Sequence, residues 1–144
     1  MTSTTATLES RAARPGRTLT IALWAAQLLL AFMFGFAGVL KSTSPIPQLA
    51  QMIPWAGDVP VGLVRFIGIS ELSGAIGLVL PAATRILPWL TPLAGTGLTV
   101  VMLLASAFHI SRGELQNVPI NVILGSIAAF IAWGRTKKAP IAPR

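Results

Sequence analysis

Two ionisable residues, Arg65 and Glu71, stand inside a run that is otherwise hydrocarbon, VGLVRFIGISELSGAIGLVL at residues 61–80. A carboxyl group in such surroundings bears chemistry, because neighbouring charge and lost hydration decide whether it keeps its proton. The run's eleven strongly apolar residues favour insertion into lipid by roughly 3–7 kcal/mol in total. Each mid-span charge costs about 2.5–3.5 kcal/mol on the same scale. Two charges thus cancel much of the gain, and groups inside the protein must compensate them. On a helix, Glu71 lies about 15 Å from Val61, with Arg65 about 9 Å above it and about 120° around the axis. The two do not face each other directly. Gly68, Gly74 and Ala75 flank Glu71, which marks this side as close-packed and turns the carboxyl into a bundle.

Further polar residues fall where they could join Glu71. Helical side chains lean toward their own N-terminus. This lifts Arg65, Glu71 and Asn121 outward and lowers His109 inward, so all four converge on the outer half of a membrane. Gln27, in the first apolar run, approaches from the cytoplasmic side and is expected to meet Glu71 from below. The expectation is a polar cavity holding a ligand-binding or proton-active group, with Glu71, Arg65, His109, Asn121 and Gln27 as candidates. Lys41, Arg112 and Glu114, at a run's end and in a loop, are secondary ones. The bland alternative is a hydrogen-bonded network that only sets helix register, and snorkelling alone would account for Arg65. Asp58 reads as a turn residue.

The elements that position these residues follow from composition. The chain has 144 residues, 53% of them hydrophobic and 10% charged, with net charge +7, whereas soluble domains carry about 25% charge. Lipid is the natural solvent for that apolar excess. Four runs of spanning length stand at about residues 18–40, 61–80, 92–110 and 118–134, each near the length that crosses about 30 Å of hydrocarbon. The fold expected is all-α: a bundle of four transmembrane helices occupying residues 18–135. Residues 1–17 read as a mobile tail and 136–144 as a basic one. Pro81 is expected to stop the second span, and Thr91 to cap the third with Pro92 in its first turn. Between the first two spans, Ile46, Leu49 and Ile53 recur at helical spacing among prolines, which predicts a short interfacial segment facing bundle or lipid. Small-residue pairs such as Ala31 with Gly35, and Gly125 with Ala129, offer seams within the bundle or between copies in a homo-oligomer.

Charge gives the sidedness. Arg11, Arg14, Arg17, Arg85, Arg135, Lys137, Lys138 and Arg144 fall on one side, and only Lys41 and Arg112 on the other. Both termini are therefore expected in the cytoplasm, in a multi-pass protein of the inner (plasma) membrane. The tryptophans fall near span ends or in the outer loop. Basic residues that flank spans serve topology, so nucleic acid is not an expected partner. The chain has no cysteine and one histidine, which removes thiol redox chemistry and single-chain multi-His metal sites. No metal is expected.

At WAAQLLLAFMFGFAGVLK, RFIGISELSGAIGLVLP and LTPLAGTGLTVVMLLASAFHISRGE, with late Asn121 and Gly134-Arg135, the sequence resembles the DoxX-like family of small bacterial membrane proteins. The resemblance runs from Trp24 to Arg135. It implies a four-helix membrane bundle, with Arg65, Glu71, His109, Arg112, Glu114 and Asn121 as the family's polar pattern. That family is named for a membrane subunit of a thiosulfate:quinone oxidoreductase, which brings quinone and redox partners into view. Together these point to a non-catalytic membrane subunit that binds a small amphiphile, with quinone a candidate, or anchors a redox protein. The alternatives are a small transporter or proton-coupled permease acting through Glu71, and a purely structural subunit.

Overall fold

Within hydrocarbon, backbone N–H and C=O groups must find partners inside their own segment, so long apolar runs wind into helices. The computed structural model describes residues 16–144. The tail expected over 1–17, with Arg11 and Arg14, therefore lies outside the described residues up to residue 15. The long helices are α1 (Arg17–Thr43), α3 (Val61–Thr84), α4 (Leu90–Ser111) and α5 (Val118–Trp133). A short α2 (Ile46–Met52) and a 3-10 turn, Pro54–Gly57, connect α1 to α3. A second 3-10 turn, Leu115–Asn117, leads into α5, which widens into a π-helical end, Gly134–Lys138. Among the described residues, four helical stretches are long and apolar enough to cross a membrane.

Three boundaries differ from expectation. α1 runs past Leu40 through Lys41 to Thr43, so Lys41 is a helical residue and not the first of a loop. α3 continues through Pro81 and ends where Arg85 turns left-handed at φ 57. Pro81 removes the N–H that would bond Gly77 O near the last turn, and beside it Gln27 Nε2 of α1 donates to the Leu78 carbonyl. Thr91 does not cap α4. The helix already starts at Leu90 without a side-chain cap, and Thr91 is buried inside it, its hydroxyl unpaired among the described residues. Pro92 still falls in the first turn, where a missing N–H costs least.

The long helices alternate in direction and close a ring in the order α1, α3, α4, α5. Each turns a seam inward. In α3 the buried residues are Val64, Gly68, Glu71, Ala75, Leu78 and Ala82, with Pro81 beside them, a four–three alternation that suits left-handed bundle packing. Leu30, Phe34, Leu78, Leu98, Met102 and Ile131 form the central core. Phe32, Phe36, Phe66, Leu103 and Leu104 face outward and exposed, as lipid-facing residues do. Leu49 of α2 is buried with Ala56 and Val64 in a separate cluster over one end of the bundle, while Gln48 and Gln51 are exposed.

The tightest crossing joins α1 to α3. A Cβ on Gly38 would come within 2.8 Å of Gly68 O and Leu72 N, and one on Gly68 within 2.8 Å of Lys41 Cβ and Ser42 N. Only hydrogen fits between these backbones. Gly38→Val and Gly68→Val should each destabilise the bundle by about 1–3 kcal/mol or more. Gly97→Ala, where a Cβ meets nothing within 4 Å, should be neutral or slightly stabilising. Unfolding titrations in mixed micelles check this ranking, and equal losses at all three positions would refute the crossing.

Candidate ligand cavity

The α1–α3 crossing decides which charges meet. Because α1 remains helical to Thr43 and passes α3 at Gly68, Lys41 comes off the helix directly opposite Glu71. Its Nζ donates to both carboxylate oxygens of Glu71 at 2.7 Å. Glu71 is 3% exposed and Lys41 8%, so this is a buried ion pair with two-point geometry. Lys41 Nζ also lies 5.9 Å from the Trp55 ring centroid.

Arg65, expected in the same cavity, is elsewhere. Its Nη1 donates to Lys41 O and its Nη2 to Ser44 O, both at 2.7 Å. It thus satisfies carbonyls that the end of α1 leaves unpaired, and it fixes the backbone from which Lys41 extends. Gln27 does not meet Glu71. It is fully buried toward the other end of the bundle, where it donates to Leu78 O and accepts from Arg135 Nε at 2.7 Å. Its depth in α1 had suggested Glu71 from below, but its seam position faces the Pro81 turn and the end of α5. Arg135 is itself buried, with its guanidinium 5.3 Å from the Trp24 centroid. From the sequence, Arg135 reads as a flanking charge on the basic side and as part of the Gly134-Arg135 match. The lean of helical side chains toward their N-terminus was the available signal, since it carries Arg135 back into the bundle.

Glu71, Lys41, His109, Asn117 and Asn121 share the wall of one cavity of about 540 Å³. The rest of its lining is mainly apolar and aromatic, including Trp55 and Phe108, whose rings meet edge to face at 5.7 Å. Leu63 and Phe66 of α3 and Leu104 of α4 also line it, although each is exposed on the bundle's outside. The cavity therefore opens sideways between α3 and α4 toward the lipid-facing surface. Further along, these two helices touch closely at Gly77 with Ala94 and Gly74 with Leu98. Asn121 is 9% exposed, and its Nδ2 has no hydrogen-bond partner among the described residues.

At the cavity's edge the two connections are tied together. His109 Nδ1 lies 2.6 Å from Glu114 Oε2, Arg112 Nε donates to Glu114 Oε1 at 2.7 Å, and Arg112 Nη2 donates to Asp58 Oδ2 at 2.6 Å. Asp58, read as a turn residue, thus links the α2–α3 connection to the α4–α5 connection. The Arg112 hydrogen bond, followed by that of His109, holds the Glu114 carboxyl below its ordinary range, and the same pairing pushes Arg112 up. Arg112 and Glu114 are engaged in this network and are not freely solvated loop charges.

A ring of lipid-exposed helices around a buried ion pair and a laterally open cavity defines a multi-pass integral membrane protein. The chain belongs to the DoxX-like family, whose model matches residues 25–131. No match was found among curated proteins or among solved structures.

Two predictions follow from this geometry. Lys41→Met and Glu71→Gln should each destabilise the bundle by about 3–5 kcal/mol, because each strands a buried partner. The double variant should lose clearly less than the sum of the two, and additive losses in a double-mutant cycle would sink the pairing. For Glu114, a folded pKa below the ordinary 4.5 means that its stabilising contribution is complete above pH 4.5 and disappears as pH falls through the lowered value. Amide exchange over residues 112–117, corrected for intrinsic rates, should accelerate in that acid window in the native chain. Glu114→Gln should abolish the transition.

Proposed function

We propose that this chain is a non-catalytic membrane subunit whose cavity takes a small, uncharged amphiphile from the bilayer, with a quinone the leading candidate. The observation that carries this is the cavity of about 540 Å³, apolar in most of its lining and open between α3 and α4. Its volume falls within the range of small-molecule sites, about 300–1,000 Å³. Lys41 and Glu71 cancel each other's charge on its wall, so neither an anion nor a cation gains a net Coulombic partner there. The unpaired Nδ2 of Asn121 suits an acceptor such as a carbonyl oxygen. A tail could remain among lipid chains while the head group enters past Phe66 and Leu104.

Anchoring of a redox partner is compatible with the same site, since the connections bearing Asp58, Arg112 and Glu114 form the rim over the cavity. The orientation we propose puts that rim on the outer face of a bacterial inner membrane, with both termini in the cytoplasm. Arg17, Arg85, Arg135, Lys137, Lys138 and Arg144 gather at the opposite end, while Asp58, Glu71 and Glu114 sit with Lys41, Arg65 and Arg112 at the rim end. That asymmetry supports the orientation.

Extraction into native-lipid discs followed by mass spectrometry of lipids and proteins tests the reading. The expected result is co-purification of a quinone-class lipid, in reduced but measurable amount from the Lys41→Met/Glu71→Gln double variant. A co-purifying stoichiometric redox protein with no quinone would favour anchoring alone, and neither would leave a structural subunit. Reporter fusions at Trp55 and at the C-terminus should report the outside and the cytoplasm respectively.

A further inference from the structure

His109 is the chain's one histidine, and it stands between the cavity and a polar chain that reaches the surface. Nδ1 faces Glu114 at 2.6 Å, with Asn117 Nδ2 3.4 Å from the same nitrogen. Nε2 has no hydrogen-bond partner among the described residues, while the ring lines the cavity. Beyond Glu114, Arg112 leads to Asp58, whose side chain is 56% exposed. An ionised carboxylate can only accept hydrogen bonds. Glu114 therefore keeps a proton on Nδ1 whether the ring is neutral or charged. The two protonation states then differ at Nε2 alone: a bare acceptor when neutral, an N–H donor when protonated.

Resting on the cavity as an amphiphile site, the geometry points to His109 as a residue that makes ligand choice proton-linked. The neutral ring favours a head group that donates a hydroxyl, and the protonated ring favours one that accepts through a carbonyl. A single lipophile in its hydroxyl and carbonyl oxidation states is thereby sorted by pH without any change in the apolar wall. The charged groups around the ring are few. Glu114 and Arg112 flank it from the α4–α5 connection, and Asp58 reaches it through Arg112 from the α2–α3 connection. Lys41 of α1 and Glu71 of α3 share the cavity wall with it, paired to each other. Asn117 and Asn121, at the start of α5, do not titrate.

The test uses the full chain in phosphatidylcholine nanodiscs, with a decyl-substituted benzoquinone and its hydroquinone as probes, the latter under argon. Affinities are measured from pH 5 to pH 8. The ratio of hydroquinone to quinone affinity should rise about tenfold across that range, the scale of one mismatched hydrogen bond. That rise should vanish in His109→Gln and shrink in Glu114→Gln, which keeps the ring but no longer fixes its proton. Glu114 lies outside the spans, so the second variant remains informative if the first does not fold. In the Lys41→Met/Glu71→Gln double variant the pH dependence of the ratio should persist, whatever the affinities. Both probes binding with a ratio indifferent to pH, or an undiminished rise in His109→Gln, would overturn this role and leave the cavity reading standing. A rise abolished in the double variant would overturn it in favour of Glu71. Failure of both probes to bind at any pH removes the cavity reading and this inference with it.

Discussion

Opposite charges buried among hydrocarbon are tolerable only when each is the other's immediate neighbour, and Lys41 and Glu71 meet that condition. Each ion costs several kcal/mol to desolvate, and the pair recovers it only through close geometry. Here one ammonium bonds both oxygens of one carboxylate at 2.7 Å. That geometry depends on backbone approach. Gly38 and Gly68 let α1 and α3 cross without intervening side chains, and Arg65 holds the last carbonyls of α1 in place. The apparent liability of a second charge in α3 is thus resolved. Arg65 is not Glu71's counter-ion but the clamp on the helix that delivers the counter-ion. Removing any one of these parts loosens the others, because the pair tolerates little displacement before two unpaired charges remain in lipid.

The two ends of the bundle divide the work. Toward the termini, Gln27 joins α1 to the Pro81 turn of α3 and to Arg135 at the end of α5, while Arg144 bonds back to Thr84 and Arg85. Within residues 136–144, expected as a basic tail, Arg144 thus hydrogen-bonds to the end of α3. Close contacts between α3 and α4 also fall on this half. At the other end the same two helices leave room for the cavity, and the connections are held across it by the Asp58–Arg112–Glu114–His109 series. One half is knitted mainly by hydrogen bonds, those of Gln27 deeply buried, and in the other the buried Lys41–Glu71 pair lies below connections spanned by partly exposed ion pairs. Local opening is expected where exposed pairs and little core hold the chain, which is the half that a lipid-borne ligand would enter.

The spans and the bundle were legible in the sequence because lipid leaves a chain few options. Apolar runs of spanning length become helices, and small residues mark where they touch. Burial of Glu71 was legible too, since Gly68, Gly74 and Ala75 mark its side of the helix as close-packed. Partner identity was harder to read. Lys41 was taken as a boundary charge because a lysine usually ends an apolar run, yet α1 extends past it to Thr43. Arg65 drew attention as the nearest charge in sequence, although 120° of helix separates it from Glu71, and the structure gives it backbone carbonyls instead. Gln27 and Arg135 are 108 residues apart, and no local pattern connects them. Such pairings are set by which helices become neighbours, and ring order is a property of packing that spacing along one helix does not encode.

The placement of the ion pair bears on why a cavity should exist beside it at all. A pair needed only to lock register would be most stable sealed by packing, with every remaining hydrogen-bonding position filled by protein. Lys41 instead offers a third N–H, and each Glu71 oxygen a second lone pair, that no described residue takes up. Asn121 Nδ2 is likewise unpaired, on the same wall. Unused donors and acceptors that share one cavity raise the cost of leaving it apolar throughout and lower the cost of admitting a polar head group. Gln27 and Arg135, away from the cavity, bond each other and the backbone, although Arg135 Nη2 is also without a partner among the described residues. Both groups of buried polar contacts occur in this bundle, and the one that includes Lys41, Glu71 and Asn121 shares a cavity wall.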